Sequence, residues 1–131
     1  MHAPHASLPP PGLPPEARAS ALQQAARDAA AVPGAFAQQP WAFRKAPPAA
    51  KGLLDAHSGR DAEWMVVTCR SNDDVGHTRE RCYTAVQRYL LSLAAEGVEA
   101  TWIGSGLPVG LARAAALAGA DDLLGVVRVD G

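Results

Sequence analysis

Aromatic side chains are scarce in this sequence: two Phe, two Tyr and three Trp make up 5% of its 131 residues. A core must then rest on Ala, Leu and Val, and alanine buries little area per residue. Stability built that way is thin, which favours association with a second copy. Cysteine is rarer still. Cys69 and Cys82 are the only two, where a secreted scaffold of this size carries larger even sets. They read as reduced, mostly buried thiols, with a reactive or bridging role as the alternative. Neither charge is in excess, the formal net charge being −1, so there is no electrostatic footprint for nucleic acid or anionic lipid. No apolar run approaches the roughly 18 residues of a membrane span. Prolines interrupt the N-terminus, which lacks the basic-then-apolar layout of a secretory signal. The expectation is a cytoplasmic protein with no nucleic-acid or membrane partner.

Proline and glycine, by contrast, are well supplied and punctuate the chain. Residues 1–15 form a proline-rich arm containing Pro9-Pro10-Pro11 and Pro14-Pro15. It has too few backbone donors for helix or sheet and is expected to be extended or disordered. Such a segment also suits a polyproline-reading domain, against the plainer reading of a loosely packed tail. The remainder, 16–131, is one domain by length. From Ala17 to Ala31, residues Leu22, Ala25, Ala26, Ala29 and Ala30 share one helical face, and Pro33-Gly34 ends that helix. Trp41 to Phe43 reads as a short strand, and Ala49 to His57 as a short helix. Trp64 to Cys69 is an apolar run of strand length, buried on both faces. Thr78 to Glu96 is the strongest helix, with Cys82, Val86, Tyr89, Leu90 and Leu93 in one stripe. Val98 to Ile103 is a strand, Pro108 to Ala118 a helix opened by proline, and Leu123 to Val129 a last strand. Alternation of this kind implies helices covering a largely buried sheet, in an α/β or α+β sandwich.

Few residues present themselves for chemistry. His2 and His5 lie in the arm, while His57 and His77 are far apart in loops, and no zinc-type spacing occurs. Asp73-Asp74 and Asp121-Asp122 read as solvated turn or cap residues. Neither Ser58-Gly59 nor Ser105-Gly106 has the strand-elbow context of a nucleophile. The bend Gly104-x-Gly106-x-x-x-Gly110 is more informative, because it lies between a strand and a helix. Glycines there let backbone N–H groups approach an anionic or ring-shaped ligand; a tight turn without ligand is the alternative. A dinucleotide fold wants an acidic residue about twenty positions on. Asp130 meets that distance, so a small nucleotide-binding module stays open.

Two segments carry a resemblance. Ala31 to Phe43, containing Pro33-Gly34 and Gln39-Pro40-Trp41-Ala42-Phe43, resembles the A-P-S-x-x-N-x-Q-P-W-x-F segment of the nitroreductase family. Arg81 to Gly104, closing on Thr101-Trp102-Ile103-Gly104, resembles that family's central helix and the GLGTCWIG segment after it. The resemblance extends over most of the chain from about Glu16 onward. It implies an α+β fold, a three-layer α/β/α sandwich with a central, mostly buried sheet. It also implies a homodimer that binds FMN in clefts between two subunits and passes two electrons from NAD(P)H to a nitro, quinone or enone acceptor. The cofactor-binding residues implied are Pro33, Gly34, Gln39, Arg81, Trp102, Ile103, Gly104 and Ser105. No protein acid or base is implied, because the hydride chemistry belongs to the flavin. Gly34 replaces the family's serine and Ala37 its asparagine. The family's basic clusters for the FMN phosphate are missing, leaving Arg18, Arg44, Lys45 or Arg113 to substitute. A dimeric relative that has lost flavin is the alternative those departures suggest.

Overall fold

Apolar stripes of helical period alternate with strand-length runs, and each settles into an element of the expected type. The structure, a computed structural model, describes residues 13–30, 39–70, 75–117 and 121–130. Pro33, Gly34, the Asp73-Asp74 pair and residues 1–12 of the arm lie outside the described residues. The elements are α1 (Pro15–Ala30), β1 (Trp41–Lys45), α2 (Pro48–Ser58), β2 (Glu63–Arg70), α3 (Val75–Ala95), β3 (Ala100–Ile103), α4 (Leu111–Ala114) and β4 (Asp121–Val129). Pro15 opens α1 where a missing N–H costs nothing, and Glu16 places a negative charge against the positive end of the helix dipole.

The four strands form one sheet in the order β1-β2-β4-β3, with every neighbouring pair antiparallel. Strand alternation sends successive side chains to opposite faces, and both faces are covered. Met65, Val67 and Val127 meet Ala21, Tyr89 and Leu93 of α1 and α3. Trp64, Val66 and Val126 meet Ala50 and Leu54 of α2 and Leu111 of α4. Burial on both sides is why β2 reads as a continuous apolar run. The result is the expected α+β, three-layer α/β/α sandwich. Of the expected faces, Ala25 and Ala29 of α1 and Cys82, Val86, Tyr89 and Leu93 of α3 are buried, while Leu22, Ala26, Ala30 and Leu90 are half-buried; Ala21, outside the expected stripe, is buried too.

Two local expectations are overturned. The helix expected over Pro108–Ala118 shrinks to the single turn Leu111–Ala114. Gly110 takes φ +86°, a left-handed conformation that cannot lie inside a right-handed helix, so the turn begins only after it. Ala116 at φ +56° closes the other end. Cys69 and Cys82 are not free thiols but a disulfide, with Cα atoms 6.0 Å apart. Periodicity had placed each on a buried face. What sequence spacing could not show is that the end of β2 and the second turn of α3 face each other. The pairing removes the grounds for reading reduced cysteines.

Sparse aromatics are concentrated at one contact. Phe43 of β1 stacks on Tyr89 of α3, ring centroids 4.0 Å apart and planes 3° from parallel. Tyr89 is fully buried, and its hydroxyl has no hydrogen-bond partner among the described residues. Burial, with the Glu63 charge as a smaller contribution, pushes the phenol pKa well up. A buried hydroxyl without a partner carries its desolvation cost uncompensated. Tyr89→Phe keeps the stacked ring and is expected to raise unfolding free energy by about 1 kcal/mol, measured by denaturant titration. The disulfide closes a loop with a sequence separation of 13. Its reduction is expected to lower stability by about 3 kcal/mol on the chain-entropy account, read from the same titration with and without reductant.

Candidate functional site

The eight residues singled out from sequence do not gather into one place. Pro33 and Gly34 lie outside the described residues. Gln39 is exposed just ahead of β1, where the Pro40 carbonyl accepts a hydrogen bond from the Arg70 N–H at 2.6 Å. Arg81 is exposed on α3, next to Cys82. Cross-strand pairing of Trp41 with Cys69, and the Cys69–Cys82 bond, bring these two segments to the same region of the fold. Trp102 and Ile103 stand on β3 at the far side of the sheet, with β2 and β4 between. Three strand spacings separate β1 from β3, roughly 14 Å. One copy of the chain therefore holds the two segments apart.

The described aromatic residues of the first segment serve the core. Trp41 is buried, and Phe43 is stacked on Tyr89. Among the segment's described residues, Gln39 alone is exposed. The second segment is built differently. β3 pairs with just the last part of β4, Ala100 opposite Val129 through Ile103 opposite Val126. It then leaves the sheet at Gly104. Gly104 and Ser105 are exposed, and neither makes a hydrogen bond to any described residue. Their backbone N–H groups are thus available donors on a free edge. Trp102 is half-buried, and its indole Nε1–H also lacks a partner among the described residues.

Each glycine of the bend has a cause inside the protein. A Cβ on Gly104 would stand 3.0 Å from Trp102 Nε1, a tight contact that the indole would have to ease by shifting, so glycine is the residue that fits without adjustment. Gly106, at φ +68°, and Gly110 need positive φ. Sequence reasoning missed what holds the bend. His57, at the end of α2, lies 2.9 Å from the Gly106 carbonyl through Nε2, so the ring donates in the tautomer that carries its proton there. Separated by 49 residues, that pair left no local signal.

At the opposite end of the sheet lies a charged groove of about 1010 Å³, walled by Arg18, Lys51, Arg60, Glu63, Arg128 and Asp130 among others. None of the eight predicted residues lines it. Its charges pair with one another: Arg18 with Glu63 at 3.0 Å, Arg60 and Arg128 with Asp130 at 3.3 and 3.0 Å. Two expectations meet a correction here. Asp130 is held by arginines rather than available for a ribose, and β3 and β4 are antiparallel neighbours, so no βαβ unit exists around the glycine bend. Arg18 and Lys45 pair with Glu63 at this far end, and Arg44 pairs with Asp121 at 3.7 Å. Of the four suggested substitutes for a phosphate site, Arg113 alone forms no ion pair among the described residues. Within the described residues no three His, Cys, Asp or Glu side chains group as a metal site, and no helix is long and apolar enough to cross a membrane.

No family model matches the chain, and no curated protein matches it in sequence. Solved structures do match. A Parabacteroides distasonis protein provisionally assigned as an NADH dehydrogenase/NAD(P)H nitroreductase superposes with TM-score 0.70 at 18% identity, over 91% of this chain and 75% of that one. Oxidised iodotyrosine deiodinase bound to FMN and 3-iodo-L-tyrosine gives 0.69 at 16%, over 90% and 79%. A Desulfovibrio desulfuricans protein provisionally assigned as a nitroreductase, in complex with FMN, gives 0.66 at 21%, over 92% and 76%. Identities this low speak for the fold alone. The chain has the nitroreductase fold, in a divergent form.

Beneath α2, the Asp55 carboxylate accepts from the Trp64 indole N–H at 2.8 Å and the Ala62 N–H at 3.2 Å, and pairs with Lys51. The Lys51 ammonium first, then the indole donor, hold its pKa below the usual carboxylate range. A depressed carboxylate contributes stability above its unfolded pKa of about 4 and loses it as pH falls through the folded value. Asp55→Asn is therefore expected to melt below wild type at neutral pH. The gap should narrow on acidification below about pH 4, as followed by thermal melts across a pH series.

Proposed function

We propose that two copies of this chain bind FMN in clefts between them and pass electrons from NAD(P)H to a small nitro, quinone or enone acceptor. The observation that carries this is the free edge at Gly104-Ser105: exposed, available N–H donors at the end of β3, in a chain with the nitroreductase fold. An isoalloxazine presents a polar edge of acceptors, and a glycine lets it approach closely. Those residues fit the ring. Ile103, Gly104 and Ser105 would hold it through backbone groups, with Trp102 as the wall behind them. When bound, FMN supplies two-electron transfer chemistry. The protein's part is to orient the ring, exclude water from one side, and stabilise developing negative charge with aligned donors.

The separation of the half-sites supports a composite cleft. Gln39 and Arg81, with Pro33 and Gly34, would meet Trp102 to Ser105 of a second copy. Arg113 and Arg81 are the cations in view for the phosphate, whose charge-assisted bonds are the strong ones.

One observation favours a second reading, a dimeric relative without flavin. Arg18, Arg44 and Lys45 are all engaged in ion pairs, and each glycine of the bend is explained without a ligand. Adding FMN to purified protein separates the two. Saturable quenching of flavin fluorescence together with a gel-filtration mass of two chains is the expected result. A two-chain mass with no quenching would select the flavin-free scaffold. A one-chain mass would remove both.

A further inference from the structure

β4 interrupts its apolar run with a buried glycine, and nothing in the left-handed region of φ explains it, since Gly125 is not among the positive-φ residues. Its neighbours do. A Cβ at this position would stand 2.5 Å from Trp102 Cη2, 2.7 Å from Trp102 Cζ2 and 2.6 Å from the Ile103 carbonyl oxygen. Optimal carbon contacts lie at about 3.5–4.0 Å, so something would have to move. The indole is a side chain and can swing. The Ile103 carbonyl cannot shift without its peptide plane, and that same plane carries the Gly104 N–H. Pressure on one atom becomes rotation of the other.

Register explains why these groups meet. β4 bulges at Leu124: Val67 of β2 faces Gly125 while Thr68 faces Leu123, leaving one extra residue that increases local twist. Trp102 sits opposite Val127, so its ring reaches Gly125 as the diagonal neighbour across an antiparallel pair. The same edge of the indole also lies over Gly104, where a Cβ would stand 3.0 Å from Nε1 and 3.5 Å from Cζ2. The ring therefore rests over two glycines, Gly125 on β4 and Gly104 just where β3 leaves the sheet.

We infer that Gly125 is a positioning residue of the candidate site: by leaving room for the Trp102 ring and the Ile103 carbonyl, it aims the Gly104 and Ser105 amides at the ligand. The ligand's identity rests on the flavin reading above; the aiming does not. In flavin-free protein, Gly125→Ala is expected to shift the Gly104 and Ser105 amide resonances, while those of Arg60 and Glu99 at the other end of the sheet stay in place. FMN affinity is expected to fall about tenfold, roughly 1.4 kcal/mol, with unfolding still cooperative. Gly52→Ala, where a Cβ meets nothing within 4 Å, is the control expected to move neither readout.

A folded Gly125→Ala protein with unshifted Gly104 and Ser105 amides overturns the inference. If that variant does not fold, Trp102→Phe takes its place. Emptying the slot should then reorient the Gly104 and Ser105 N–H bonds, read from their residual dipolar couplings, and unchanged couplings count against the inference equally. A wild-type protein that ignores FMN removes the flavin reading and leaves the amide shifts to decide this one.

Discussion

The pairing of β2 with β4 organises everything else in this molecule. β4 comes last in the chain yet lies inside the sheet, antiparallel to β2 along eight residue pairs and carrying β3 on its other edge. A strand buried on both faces and hydrogen-bonded on both edges has no freedom of register. Moving it by one residue would exchange Val127 for Val126 between the two cores. Through that strand, α1 and α3 on one face and α2 and α4 on the other are fixed relative to the edge where Gly104 emerges.

The two ends of the sheet are chemically unlike. At one, acids and bases neutralise each other around a groove: Arg18 with Glu63, and Arg60 and Arg128 with Asp130. Exposed pairs of this kind contribute little each, and here they leave few charges available for a ligand. Where β3 leaves the sheet there are instead backbone amides without partners among the described residues. Binding by amides depends on direction more than on charge, so the packing beneath them matters: the Trp102 ring, the glycines around it, and the His57 contact to Gly106.

Much of the fold was legible because it is periodic. Ala25 and Ala29 lie on the face read from their spacing, and Cys82, Val86, Tyr89 and Leu93 on theirs, so the helices and much of their inward faces could be read directly, although Ala21 joins the buried row unread. Trp64 to Cys69 announced a two-sided strand. The one-turn α4 was not legible, since Pro108 to Ala118 has helical composition and only the left-handed Gly110 forbids it. The candidate site was half legible. Trp102 to Ser105 was singled out through its resemblance to a nitroreductase segment, whereas the contacts of His57 and Gly125 involve residues far away in sequence.

By itself, the sequence determined most of the segments that fold as helix or strand, most of the faces that turn inward, and a layered α/β or α+β sandwich, because each follows from spacing within a few residues; the choice of α+β came from the resemblance. Tertiary structure decided the antiparallel strand order, the Cys69–Cys82 bond and the roughly 14 Å that separate the two resembling segments. It also decided that Asp130 faces arginines. Those outcomes depend on which distant surfaces meet. A pattern of local periods leaves many such meetings equally permitted, and only packing two faces of one sheet at once selects among them.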